Sequence, residues 1–194
     1  MKYYERLDVR RAIMDFARAD GGNGERECAF YNARVKSLQR NLGEHPVALD
    51  SAAAFDRALA SGATAFHCSY WRYPGRNFSR PLGQDLVWTV RAKRGGLRSA
   101  TMLTAWLIEA LADNGVPEPW VKYSGQLGFD LLIPLEVIPS DAWMGDNDML
   151  VDLQRELTGY IAGYLVEHLS GIRIEGASST LEIKRGTNTC LLSE

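Results

Sequence analysis

The chain has 194 residues, 46% of them apolar, with a formal net charge of −2 and an isoelectric point near 6.0. That length accommodates one domain with a sizeable core, and the mildly acidic balance excludes a global electrostatic case for nucleic-acid binding, leaving only a local basic face. No run of 18 apolar residues is present to cross a membrane, the first residues lack the apolar run of a signal peptide, and three widely spaced cysteines (Cys28, Cys68, Cys190) argue against a disulfide framework, so a soluble, cytoplasmic protein with buried thiols is expected.

Asp8 is a suitable N-cap for a helix through about Ala19, with Val9, Ile13 and Phe16 on one face and Gly21 to Gly24 ending it. Residues 26–36 read as a strand mixing apolar Cys28, Phe30 and Val35 with basic Arg26, Arg34 and Lys36. On its residues it suits an edge strand charged against aggregation. A short strand at His45–Leu49 precedes an alanine-rich helix from Ser51 to Leu59, closed by Ser61-Gly62. Residues 63–73 form an aromatic strand, and with the following loop it interleaves Phe66, Tyr70, Trp71, Tyr73 and Phe78 with Arg72, Arg76 and Arg80. Such interleaving fits stacking and phosphate contact on a single-stranded nucleic acid, or a half-buried strand entering a loop. Adjacent His67 and Cys68 point to opposite faces of that strand and make a poor pair of zinc ligands.

The strand Asp85–Ala92 runs into Lys93-Arg94-Gly95-Gly96-Leu97-Arg98, which with Arg91 gives the densest basic cluster in the chain. It suits phosphates, an acidic partner or a solvated turn. Ser99 caps the next helix, whose apolar face carries Met102, Leu103, Trp106, Leu107, Ala110 and Leu111, with Gly115 and Pro117 as stops. Trp120 to Glu136 then reads as a hairpin: Val121 and Tyr123 in one strand, Ser124 to Gly128 as the turn, and Phe129 to Leu135 as a strongly apolar second strand. A loop over Pro139–Gly145 leads to a helix capped by Asp146, Asn147 or Asp148 and reaching about Leu169. His168 lies near its end as a favourable charge partner, and Gly159 and Gly163, four apart, allow close helix packing or are coincidental. The tail carries strand-like pieces at Ile172–Glu175, Thr180–Ile183 and Cys190–Leu192.

The turn Ser124-Gly125-Gln126-Leu127-Gly128 between two strands resembles the Ser-Gly-x-x-Gly motif of the archaeo-eukaryotic primase superfamily, which includes replicative primase small subunits and the polymerase domains of bacterial end-joining ligases. Its neighbours fall in the family's order. Arg26-Glu27-Cys28-Ala29-Phe30 resembles the Arg-Glu-Phe-x-Phe that opens the primase core, and Leu86 to Arg91 stands where the family has a strand ending in Asp-x-Asp. The resemblance covers about residues 1–170. It implies an α+β fold, a single primase-like core over residues 1–194 with a mixed or antiparallel sheet flanked by helices, and no zinc-binding subdomain is expected.

The departures bear on chemistry. Thr89 and Arg91 replace the two carboxylates that in the family hold divalent ions for nucleotidyl transfer. Two unit charges at ~4 Å interact by about 4 kcal/mol at an effective dielectric near 20. A divalent ion doubles that, so Arg91 repels the metal an aspartate would bind. Asp130 replaces the histidine that follows the turn, and Gln126 and Leu127 replace basic turn residues. The resemblance therefore implies a catalytically inactive homologue that needs no cofactor, with Thr89, Arg91 and Asp130 as degenerate catalytic positions. Lys122, Ser124, Gly125 and Gly128 are expected near phosphates, and Arg91, Lys93, Arg94, Arg72 and Arg76 on nucleic acid. Single-stranded or primed DNA and replication or repair proteins are the implied partners. The alternative is an active nucleotidyltransferase using Mg2+ or Mn2+ on relocated acids: Asp85, Asp130, and Glu136 or Glu175. Asp85 and Thr89 share a strand face but lie about 13 Å apart at roughly 3.3 Å per residue. For the family's third acid, Glu175 or Glu182 would stand in, with Lys184-Arg185 as the bases that follow.

Overall fold

A computed structural model describes residues 3–18, 24–76, 78–116, 118–125, 127–143, 145–177 and 180–193. The helix end at Ala19 to Asn23, Asn77 in the arginine loop, the Pro117 stop, Gln126 in the hairpin turn and Met144 lie outside the described residues. The chain divides into two compact units, Met1–Gln84 and Asp85–Glu194.

In the first unit, α1 (Leu7–Arg18) opens one residue before the expected cap. Asp8 thus stands in its first turn, ion-paired with Arg6 at 2.6 Å. The expected strand 26–36 stops early. β1 (Cys28–Asn32) ends because the Asn32 side-chain oxygen accepts the Arg34 N–H at 2.9 Å, a local turn that reverses the chain through Lys36 (φ 53°) into β2 (Ser37–Gln39). β3 (Asn41–Leu42) and β4 (His45–Pro46) form a small hairpin. Next, α2 (Ala52–Ser61) starts at Ser51, whose Oγ accepts the Ala54 N–H at 3.3 Å, and ends at Gly62 with φ 108°. The long aromatic strand is broken in two. β5 (Ala63–Cys68) stops where Ser69 Oγ accepts the Trp71 N–H at 3.0 Å, and β6 (Trp71–Arg72) then pairs with β7 (Gly83–Gln84). β2, β1 and β5 form one antiparallel sheet in that order. Phe30, Val47, Leu49 and Phe55 fill the core beneath it, with Phe55 stacked on Phe66 at 4.4 Å.

The second unit is a six-stranded antiparallel sheet with two long helices on one face. Its elements are β8 (Leu86–Arg94), α3 (Gly96–Asp113), β9 (Trp120–Tyr123), β10 (Gly128–Ile133), α4 (Asn147–His168), β11 (Ile172–Ala177), β12 (Thr180–Arg185) and β13 (Asn188–Ser193). The strand order is β11-β12-β13-β8-β10-β9. α3 begins three residues before Ser99, which is buried inside it. Gly95 takes the cap position with φ 91°, because a side chain there would meet Ser99 Oγ at 2.0 Å. Asp146 caps α4, accepting the Asp148 N–H at 2.9 Å. Positions 159 and 163 face open space, so that glycine pair is coincidental.

Alternation along the strands sends Leu86, Trp88, Val90, Leu131, Ile133, Ile183, Cys190 and Leu192 toward α3 and α4. Two polar ties fix the register of α4 on the sheet. The Trp88 indole donates to Thr158 Oγ1 at 2.8 Å, and the Gln154 amide donates to the Val87 carbonyl at 2.6 Å. The expected α+β class, helices against an antiparallel sheet, is what the chain forms.

Candidate nucleic-acid interface

The opposite face of the sheet carries most of its polar residues, together with Val87, Leu132 and Leu191. Register places Thr180, Ser193, Thr89, Asp130 and Lys122 in one row across β12, β13, β8, β10 and β9, and Glu175, Glu182, Leu191, Arg91 and Gly128 in the next. Thr89, Arg91 and Asp130, the positions expected to be degenerate, are thus neighbours. Thr89 Oγ1 donates to Asp130 Oδ1 at 3.0 Å, and Lys122 Nζ lies 3.2 Å from Asp130 Oδ2. Asp130 is the sheltered partner, 15% exposed against 70% for Lys122. Arg91 is exposed and forms no ion pair among the described residues.

The basic end of β8 is the best-formed part of this face. Lys93, Arg94, Glu182, Lys184, Gly186, Thr187 and Thr189 line a groove of about 420 Å³. Lys93 reaches Glu182 at 3.3 Å and Lys184 reaches Glu175 at 2.5 Å. The hydrogen bond between the last two holds the Glu175 carboxyl below its ordinary range and raises the Lys184 ammonium. Arg94, like Arg91, has no carboxylate partner among the described residues. Lys184 came from the sequence only as a base following the family's third acid; the β12–β13 hairpin that brings it beside Lys93 had no turn motif strong enough to announce it.

The turn residues divide by role. Ser124 donates its backbone N–H to the Gly128 carbonyl at 3.0 Å, while its Oγ is buried without a hydrogen-bond partner among the described residues. Gly125 (φ 77°) and Leu127 (φ 58°) carry the reversal. Gly128 is buried against β8, where a Cβ would stand 2.1 Å from the Val90 carbonyl oxygen, so close strand approach accounts for this glycine.

Two arginines depart from expectation. Arg72 is 2% exposed. It presents no surface to a polymer. Arg76 is exposed and engaged, donating to Glu25 at 2.8 Å and to Asp50, two carboxylates that compete with a phosphate for it. Arg26, in the Arg-Glu-Cys-Ala-Phe stretch, is likewise structural: it donates to the Phe16 and Ser69 carbonyls at 2.8 and 3.0 Å and lies over the Phe16 ring.

The relocated acids do not assemble. Asp85 is 2% exposed and accepts the Leu135 N–H at 3.1 Å, serving the end of β10 rather than a metal. Glu136 is exposed in a short 3-10 turn, Leu135–Val137. Glu182 and Glu175 stand three and four strands from Asp130, roughly 14 and 19 Å at the usual ~4.8 Å spacing. No group of three His, Cys, Asp or Glu side chains suited to a metal occurs among the described residues. The donor set therefore does not fit the paired divalent ions of nucleotidyl transfer, which need several oxygen ligands within about 2–2.6 Å of each ion.

No protein-family profile and no curated protein sequence matches the chain. Among solved structures, its fold is similar to the polymerase domain of Mycobacterium tuberculosis ligase D in complex with DNA. The TM-score is 0.54 and the sequence identity 15%, over 81% of this chain and 63% of that one. The likeness is one of fold, and the chain spans less than two thirds of that domain. No helix among the described residues is long and apolar enough to cross a membrane.

Proposed function

We propose that the chain is a short, catalytically inactive member of the archaeo-eukaryotic primase superfamily. In this reading residues 1–194 are a single primase-like core without a zinc-binding subdomain, acting in the cytoplasm as a nucleic-acid-associated or protein-interacting component of DNA replication or repair. One observation carries the reading. Where strands β8, β10 and β9 meet, Asp130 is the lone carboxylate, already held by Lys122 and Thr89, and the adjacent Arg91 is an unpaired cation among the described residues. Such a place repels metal ions and attracts phosphates. The similarity of fold to a DNA-bound polymerase domain supports the nucleic-acid part, and the partner class is single-stranded or primed DNA.

The contact surface is the groove at the end of β8, with Lys93, Arg94 and Lys184 on phosphates, extended along the strand by Arg91. Lys122, Ser124 and Gly125 provide a second contact beside it. Titrating labelled single-stranded DNA against the wild type and the folded triple variant R91E/K93E/R94E tests the binding. A reduction of at least tenfold in affinity is expected, and equal affinities would refute the surface. Nucleotide incorporation on primed and unprimed templates with magnesium or manganese tests the inactivity. None is expected; incorporation abolished by Asp130→Ala would overturn it.

A further inference from the structure

The fold brings together two cysteines that lie 40 positions apart in the sequence. Cys28 on β1 is directly opposite Cys68 on β5, and their sulfur atoms are 3.5 Å apart. The next pair along, Glu27 and Ser69, is bridged by the Ser69 N–H donating to the Glu27 carbonyl at 2.8 Å. Alternation in an antiparallel ladder then makes Cys28–Cys68 a non-hydrogen-bonded pair, the type in which opposing side chains come closest. Its Cα spacing of ~4.5 Å falls inside the range disulfides span, and the sulfurs need to approach by only about 1.5 Å to bond.

We propose that Cys28 and Cys68 are a site of oxidative modification, converted by hydrogen peroxide into an intramolecular disulfide that ties β1 to β5. The two thiols are unequal in a way that orders the steps. Cys68 is half-buried and takes the first attack; Cys28, 2% exposed, waits beside it. Its hydrogen bond with Cys68 and its burial raise the Cys28 thiol, keeping it protonated and unreactive toward solvent. Peroxide transfers one oxygen to the Cys68 sulfur, giving a sulfenic acid and one water. The Cys28 sulfur then displaces hydroxide from that sulfenic acid, its own proton completing a second water, and the S–S bond forms. Two thiols are oxidised and one peroxide is reduced to two waters. Cys190, buried on β13 and far along the chain, has no partner thiol and is an internal control.

The test uses the full chain treated with one equivalent of hydrogen peroxide, quenched in acid, and alkylated in denaturant. The expected result is a mass decrease of about 2 Da, the two hydrogens of the thiols. Alkylation should fall from three groups to one, with Cys28 and Cys68 linked in a single peptide pair and the yield independent of protein concentration. Cys68→Ser treated in the same way should keep both remaining thiols. A melting temperature above that of the Cys68→Ser protein is expected for the oxidised wild type, because the bond closes a long loop. Three alkylated thiols after oxidation, a linkage to Cys190, a dimer cross-link, or Cys68 driven to sulfinic acid without a bond to Cys28 would each overturn the proposal.

Discussion

Replacing Gly128 by alanine separates a packing role from a ligand role in the hairpin. The added Cβ would stand 2.1 Å from the Val90 carbonyl oxygen and 3.1 Å from the Arg91 Cα, both backbone of the adjacent strand, so no side-chain rotation relieves the clash. β10 and β8 must part by about 1 Å, the shortfall from an ordinary carbon–oxygen separation. That pulls on the Gly128–Arg91 end of the ladder and on the Ala92 N–H bond to the Leu127 carbonyl at 3.0 Å. Breaking one or two backbone hydrogen bonds at ~1 kcal/mol each, together with overpacking of ~1–3 kcal/mol, gives a destabilisation of about 2–5 kcal/mol. At roughly 2–4 °C per kcal/mol for a chain of this size, the midpoint should fall by about 4–20 °C in a thermal melt. Gly125→Ala is the contrast: nothing lies within 4 Å, and only the φ of 77° opposes a side chain, at ~1–2 kcal/mol. If Gly128→Ala melted within a degree of wild type but bound DNA more weakly, the glycine would serve a ligand and the packing argument would fail.

Thr158→Val removes the acceptor of the buried Trp88 indole at 2.8 Å and should cost about 1–3 kcal/mol in urea unfolding; an unchanged midpoint would mean that this tie does not hold α4 in place. In salt titrations of single-stranded DNA binding, R91E/K93E/R94E should flatten the log–log slope by roughly 2, at ~0.7 for each phosphate no longer neutralised, whereas a parallel shift of the line would place these cations away from the DNA. Arg76→Met tests a pH dependence whose sign follows from Asp50. Burial raises the Asp50 carboxyl, but its hydrogen bond and charge interaction with Arg76 outweigh this and hold it below its ordinary value. The stabilisation is then fully present above the unfolded pKa and is lost as the pH falls through the lower folded value. Both partners are substantially exposed, so the variant should be destabilised by no more than ~1 kcal/mol near neutrality. Its stability should converge on wild type below about pH 3, and a deficit that persisted there would assign the effect to packing.

The sequence made the elements legible wherever one local rule dominated. Ser51 and Gly62 bound α2 because capping oxygen and left-handed glycine act within a turn, and the Ser-Gly-x-x-Gly reversal marked the β9–β10 hairpin for the same reason. Boundaries failed where a side chain redirected the backbone inside an otherwise apolar pattern: Asn32 cut one strand, Ser69 another, and Gly95 started α3 early. At the candidate site it is the resemblance to the primase motifs that groups Thr89, Arg91 and Asp130; the β8–β10 pairing that makes them neighbours is not written in either strand alone. Arg72 could not be assigned to the interior, because nothing in an aromatic–basic alternation says which face a neighbouring segment covers. The Cys28–Cys68 pair was equally hidden. Cysteine count and spacing describe the chain, while the pairing depends on a 40-residue connection returning β5 to β1 in register.

The same arrangement answers why a chain of net charge −2 can present a surface for phosphates. On the polar face of the sheet Asp130 pairs with Lys122, Glu182 with Lys93 and Glu175 with Lys184. These pairs cancel one another locally, and the cations of this face left without a carboxylate partner among the described residues are Arg91, Arg94 and Arg173. A phosphate arriving at the groove meets Arg94, with Arg91 further back along β8, and lysines that can turn from a carboxylate toward it at little cost, because exposed ion pairs are worth at most ~1 kcal/mol. A divalent cation arriving at the same place meets Arg91 first and finds the one sheltered carboxylate, Asp130, already occupied. On the function we propose, binding of phosphates without metal chemistry would follow from Thr89 and Arg91 standing on β8 in place of carboxylates, and it predicts that Arg91→Asp alone weakens DNA binding without creating a competent metal site, since only two carboxylates and the Thr89 hydroxyl would stand together there. Manganese-dependent incorporation by that single variant would show that the two carboxylates suffice and that the site is one substitution away from catalysis.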